Sequence, residues 1–183
     1  TGREENASEI RRGSYRGPFM DFLMECTKDP LFIEVCPISK TMSKRYEQLE
    51  LIIRFFAFLE RYQSFTHRVD NFLDDYIESK LESFDKESMK AEFDSMLRFV
   101  KKYFPCGFAK SAHAKSTPRV RFEAISVGVA LALKEKPELI PKSMDWLESK
   151  EFHAHTTTHA SNSPTRVSGR ILYVKDRLLE GAE

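Results

Sequence analysis

Apolar side chains return every three or four residues along nearly the whole chain, the period of an α-helix and not of a strand. The clearest stretch is 43–62. There Leu49, Ile52, Ile53, Phe56 and Leu59 form one face, and Leu51, Phe55 and Phe58 cover much of the rest. A helix apolar on most sides must be enclosed by neighbours on several sides, so this segment predicts the central helix. Val69, Phe72, Leu73, Tyr76 and Ile77 give a one-sided stripe, with Asp70, Asp74, Asp75 and Glu78 turned to water, and the acidic, Ser-rich stretch 78–85 reads as a loop. Phe93, Met96, Leu97, Val100 and Phe104 give another, which Asp85 is placed to cap.

Punctuation residues divide the remainder. Asn6 followed by Glu9 predicts a capping box for a short helix that ends at Gly13. Gly17-Pro18 opens a helix with Phe19, Phe22, Leu23 and Cys26 on one face, and Pro30 starts a shorter one over 31–36. Thr117-Pro118 reads as N-cap plus first helical residue, opening a helix to about Lys134 whose Gly128, Ala130 and Ala132 let neighbouring backbones approach closely. A short amphipathic helix is expected around Met144, Trp146 and Leu147, then a polar loop over 153–162. Ser163-Pro164 opens the last helix, with Val167, Ile171, Val174 and Leu178 inward. The pattern predicts an all-α multi-helix bundle of about seven to nine helices. Residues 1–16 read as a joint with a short helix and 17–183 as a single helical domain.

Composition narrows the class. Fifteen Phe against one Trp, with only seven Gly, favour helices packed through aromatic rings over a turn-rich β protein. The net charge of +1 excludes a bulk polycation, so any nucleic-acid surface must be a local patch. Three widely spaced cysteines (Cys26, Cys36 and Cys106) with no Cys-x-x-Cys pair suggest structural thiols in a reducing, cytoplasmic setting. The longest apolar run, 51–59, is broken by Arg54 and falls far short of the ~20 residues that span a bilayer. No membrane role is expected.

Two loop-to-helix junctions look alike. Lys115, Thr117 and Arg119 surround one, and Asn162, Ser163 and Arg166 the other. Each sets a hydroxyl and a cation where helix amides and dipole already favour an anion, so each is a candidate phosphate contact. The alternative is an ordinary cap with solvated basic side chains. Arg166, Arg170, Tyr173 and Arg177 recur at helical spacing, a face suited to nucleic acid or simply a solvated outer ridge. His153, His155 and His159, with His113, offer imidazoles for zinc, but no cysteine or second-shell carboxylate accompanies them in the pattern. Arg61 and His67 fit the loose Arg-x(4–6)-His spacing of HEPN ribonucleases, in which Arg stabilises a phosphorane and His moves a proton. Serine-histidine-aspartate sets, glycine-rich phosphate loops and His-Asn-His nuclease signatures are absent.

The opening carries the most specific pattern: Thr1-Gly2, then Glu9-Ile10-Arg11-Arg12-Gly13, then Tyr15-Arg16-Gly17-Pro18-Phe19. It resembles the Asn-Thr-Gly…Leu-Asn-x-x-Glu-Ile-Arg-Arg-Gly segment of the GmrS-type (GmrSD) family of modification-dependent restriction and phage-defence proteins. Residues 51–62, 121–125 and 161–171 resemble later helical segments of that family. The resemblance implies a helical lobe that follows a ParB/sulfiredoxin-like α/β domain, in a protein that hydrolyses nucleotide and restricts modified DNA.

The family's Asp-Gly-Gln-Gln-Arg motif does not occur in this chain. The expectation is therefore a fragment without catalysis of its own, NTP and Mg belonging to the parent protein. Its partners would be the missing N-terminal α/β domain, DNA, and a nuclease domain or subunit. On this resemblance Glu9, Arg11 and Arg12 are the first candidates for nucleotide or DNA phosphate contact. A stand-alone helical interaction module is the main alternative.

Overall fold

A computed structural model describes residues 7–40, 44–157 and 162–183. Among them the chain forms nine α-helices, two 3₁₀ turns and no strand, as the periodicity predicts. The helices are α1 (Ala7–Ser14), α2 (Pro18–Thr27), α3 (Pro30–Val35), α4 (Lys44–Arg61), α5 (Val69–Lys80), α6 (Lys86–Tyr103), α7 (Arg119–Glu135), α8 (Lys150–His155) and α9 (Pro164–Leu179). The 3₁₀ turns are Tyr62–Ser64 and Asp145–Glu148. Asn6, Ser43 and His159 lie outside the described residues.

Local chemistry accounts for most of the starts. Proline opens α2, α3 and α9, where its missing N–H is not needed. The Asp29 carboxylate accepts from the amides of Leu31 and Phe32, Asp85 from Ser88, and Ser163 from Arg166. Three expectations change. Thr117 does not cap α7; its hydroxyl donates instead to the Pro37 carbonyl at 3.0 Å, and α7 starts one residue beyond Pro118. The α5 helix continues to Lys80, through residues expected to be loop. Part of the loop expected over 153–162 is the end of α8, capped by Ser149, whose hydroxyl accepts from Phe152 N–H.

The core is built around two helices that have almost no outer face. Every residue from Leu49 to Leu59 of α4 is buried, and every residue from Val120 to Ala130 of α7. Burial on that scale has to be provided by neighbours. α7 is flanked by α4, α6 and α9, while α1, α2 and α5 cover α4. Gly128 lets α7 and α9 approach closely: a Cβ there would sit 2.6 Å from the Cβ of Val174, nearer than carbon atoms pack.

Aromatic rings link these elements. Phe22, Phe56, Phe55, Phe93, Phe32, Phe122 and Phe108 form a string of neighbouring pairs, with ring centroids 4.7–6.3 Å apart, running from α2 across α4 and α6 to the segment before α7. Such pairs add about 0.5–1.5 kcal/mol each beyond the area they bury. At the far end Gly107, with φ +57°, passes against the Val35 carbonyl, which accepts from Phe108 N–H at 2.9 Å. No helix among the described residues is long and apolar enough to cross a membrane.

Candidate functional site

Two arginine-rich regions meet on α1, and they differ in where their charge goes. The first is a seam of alternating buried charges through the bundle. Arg11 on α1 reaches inward, its side chain only 3% exposed, and its Nη1 donates to Glu50 Oε2 at 2.7 Å. Its Nε and Nη2 donate to Asp74 and Asp70 on α5, each at 2.7 Å. Glu50 also accepts from the Ser8 hydroxyl at 2.6 Å and from Arg54 Nε, one helical turn further along α4, at 3.0 Å. Arg54 continues to Glu123 on α7, and the other oxygen of Glu123 lies 3.4 Å from Arg170 on α9.

The seam thus runs Arg11, Glu50, Arg54, Glu123, Arg170 and ties four helices together. Buried ions are tolerated only when they meet opposite charge and hydrogen bonds; this order gives each ion an opposite charge, with hydrogen bonds at every link from Arg11 to Glu123. Burial pushes the Glu50 carboxyl upward, but Arg54, the Ser8 hydroxyl, Arg11 and Arg119 together outweigh it and hold the group below its usual range. Burial alone would discourage the charge on Arg11; Glu50, Asp74 and Asp70 more than restore it.

The second region is a pocket of about 870 Å³ between α1, α2 and the first turn of α4. Its volume is in the range of small-molecule sites. Its lining is more polar than apolar; Met20 and Met24, both buried, and the half-buried Tyr46 supply the apolar share. Arg12, Arg16, Lys28 and Arg45 surround it together with Glu9, Asp21 and Glu25. Among the described residues, Arg12, Arg16 and Arg45 have no carboxylate partner, whereas Glu25 is paired with Lys86 at 3.2 Å. Positive charge is in excess there.

The ten residues expected to contact phosphate therefore separate. Glu9 and Arg12 border the pocket. Arg11 and Arg170 belong to the seam, and Arg170 is 1% exposed, so it does not lie on the outer ridge that its spacing from Arg166 suggested. The spacing is compatible with both positions because residue 170 sits next to the Val167–Ile171–Val174 stripe. Arg119 is exposed but spans Glu47 with two hydrogen bonds, of 2.9 and 2.7 Å. The α7 junction has its hydroxyl and its Arg119 engaged internally, leaving Lys115 exposed. At the α9 junction Ser163 caps its own helix at 3.3 Å, with Asn162 and Arg166 exposed.

Other candidates have local partners. Arg61 donates to the Ser79 hydroxyl at 2.8 Å and lies 5.4 Å from the Tyr76 ring centre, while His67 is exposed in the following loop. His155 packs on the Tyr173 ring at 4.8 Å, and burial lowers its proton affinity. No cluster of metal-ligating side chains is found among the described residues. Burial pushes the thiols of Cys26 and Cys36 up to about 12, which keeps both protonated and unreactive at neutral pH.

Glu50, Arg54 and Glu123 were not recognisable as a network from local pattern alone. The available signal was that Arg54 interrupts the apolar run 51–59 and Glu123 heads the uncharged stretch 124–133. Arg16, Lys28, Arg45 and Tyr46 were also missed, because their common pocket joins residues from three helices. Among the described residues the geometry is that of an all-helical bundle with an internal charge seam and a cation-rich pocket beside α1. Comparisons with family models, with curated proteins and with solved structures give no match.

Proposed function

We propose that this chain is the helical lobe of a GmrS-type, nucleotide-dependent protein that senses modified DNA in restriction or phage defence. In this reading the α1–α2–α4 pocket contributes to nucleotide or DNA phosphate contact, and the α1 end packs against the preceding α/β domain. The observation that carries it is the coincidence of the Glu9–Gly13 segment with a pocket where three arginines lack carboxylate partners among the described residues. Those arginines can supply charge-assisted hydrogen bonds to phosphate oxygens, and Tyr46 with the methionines can cover an apolar or aromatic portion of the ligand. Catalysis, with NTP and Mg, is assigned to the parent protein's α/β domain, because the family's Asp-Gly-Gln-Gln-Arg motif does not occur in this sequence.

The test is titration of the chain, and of the longer protein carrying its upstream domain, with a fluorescent nucleotide and with short duplex DNA. Arg12→Ala, Arg16→Ala and Arg45→Ala should each weaken binding about tenfold or more, the size of one hydrogen bond to a charged group. They should leave the melting temperature in place. Unchanged affinity for both probes in all three variants rejects the pocket as the phosphate site. An upstream reading frame without Asp-Gly-Gln-Gln-Arg would separately remove the family assignment.

A further inference from the structure

On α6 and α7, two shallow hollows of about 220 and 540 Å³ share Ser95, Leu133 and Pro137, and so form one continuous groove. We propose that this groove is a docking site for an amphipathic helix of a partner protein that carries acidic residues along one flank. The groove exists because of small residues and a chain break. Ala91 and Ser95 on α6 and Ala130 on α7 leave its upper half unfilled. Pro137 lies just beyond the end of α7 at Glu135, where the chain turns aside.

Along one wall Ala91, Ser95, Phe99 and Tyr103 repeat every fourth residue, so they form a row about 18 Å long on α6. That length matches about three turns of a docked helix. The opposite wall ends in Ile140, which is 52% exposed and among the most exposed large apolar side chains described. Such a surface fits an apolar stripe at i, i+4 and i+7.

Charge selects the flank. Arg98 and Lys102 stand one turn apart on the α6 edge and have no carboxylate partner among the described residues. Arg98 reaches only the Ser95 hydroxyl, at 3.2 Å, and the Lys102 ammonium lies 5.1 Å from the Tyr103 ring centre. Neighbouring cations are already paired: Lys101 with Glu34 outside the groove, and Lys134 with Glu92 at 3.2 Å, an ion pair that joins the two walls of the upper hollow. Glu138 sits on the far rim and disfavours acid on that side. A polyanion such as nucleic acid is a poorer fit, because the upper hollow is mainly apolar and the unpaired cations line only one edge of the lower one.

The experiment uses the whole chain and two stapled helical peptides with the same leucine stripe, one flanked by Glu and the other by Lys. Fluorescence anisotropy should show the Glu-flanked peptide binding about tenfold more tightly, the scale on which opposed rim charges discriminate. Arg98→Glu with Lys102→Glu should reverse that preference. Ser95→Phe, which fills the groove, should abolish binding of both peptides while thermal melting confirms the fold. Equal affinity for the two peptides, no binding of either at millimolar concentration, or binding that survives Ser95→Phe would each overturn the proposal.

Discussion

Arg11 and Arg12 are neighbours on one short helix, yet they belong to regions with opposite physical logic. Arg11 is buried and meets three carboxylates, Glu50 in the bundle interior and Asp70 and Asp74 at its edge, while Arg12 borders a pocket with an excess of positive charge. In the seam, arginine acts as a structural bolt, because its five donors can satisfy several buried oxygens at once. At the pocket the same side chain has donors to spare. The general lesson is that an arginine's role is set by the carboxylates within its reach, which sequence proximity does not reveal.

The largest effect should come from breaking the seam in its middle. Glu123→Ala leaves Arg54 and Arg170 without their shared carboxylate, and should cost about 3–5 kcal/mol in a urea or thermal unfolding measurement. A loss under 1 kcal/mol would show that the seam is not a structural unit. Next is the close approach that holds α7 and α9 together. Gly128→Val should overpack that contact by about 1–3 kcal/mol, seen as a lower melting temperature with a helical spectrum retained.

The seam also predicts an acid dependence with a definite sign. The Glu50 carboxyl is held below its ordinary value of 4.5, so the unfolded chain takes up its proton first as pH falls. Its contribution is therefore complete above that value and is lost as pH drops through the lower, folded one. Urea unfolding at a series of pH values should show stability declining in this acid window, with a smaller slope in Glu50→Gln. Smallest of all, Arg12→Ala should change stability by no more than about 0.5 kcal/mol while weakening phosphate binding. A large destabilisation by Arg12→Ala would erase the contrast between the two neighbours.

Much of the fold was legible because helix faces and caps are local. Pro18, Pro30, Asp85 and Ser163 each mark a real start, and the enclosed character of 49–59 follows from apolar residues on all sides. Misreadings arose where tertiary contact competed with a local rule. Thr117 has the chemistry of a cap, but the Pro37 carbonyl takes its hydroxyl. Arg170 has the spacing of an outer ridge, but Glu123 draws it inside. The pocket was half legible: Glu9 and Arg12 lie in a distinctive segment, whereas Arg45 joins them only through the packing of α4 against α1.

The alternating order of the seam has an evolutionary corollary. Positions 11, 50, 54, 123 and 170 cannot drift independently, because replacing an inner member strands a buried ion on either side of it. Terminal members are the natural point of entry for change, and loss of charge at 170 would relax the constraint on 123 before it reached 54. In diverging relatives these five sites should therefore covary as a block, shortened from its ends, rather than accumulate single substitutions in the middle.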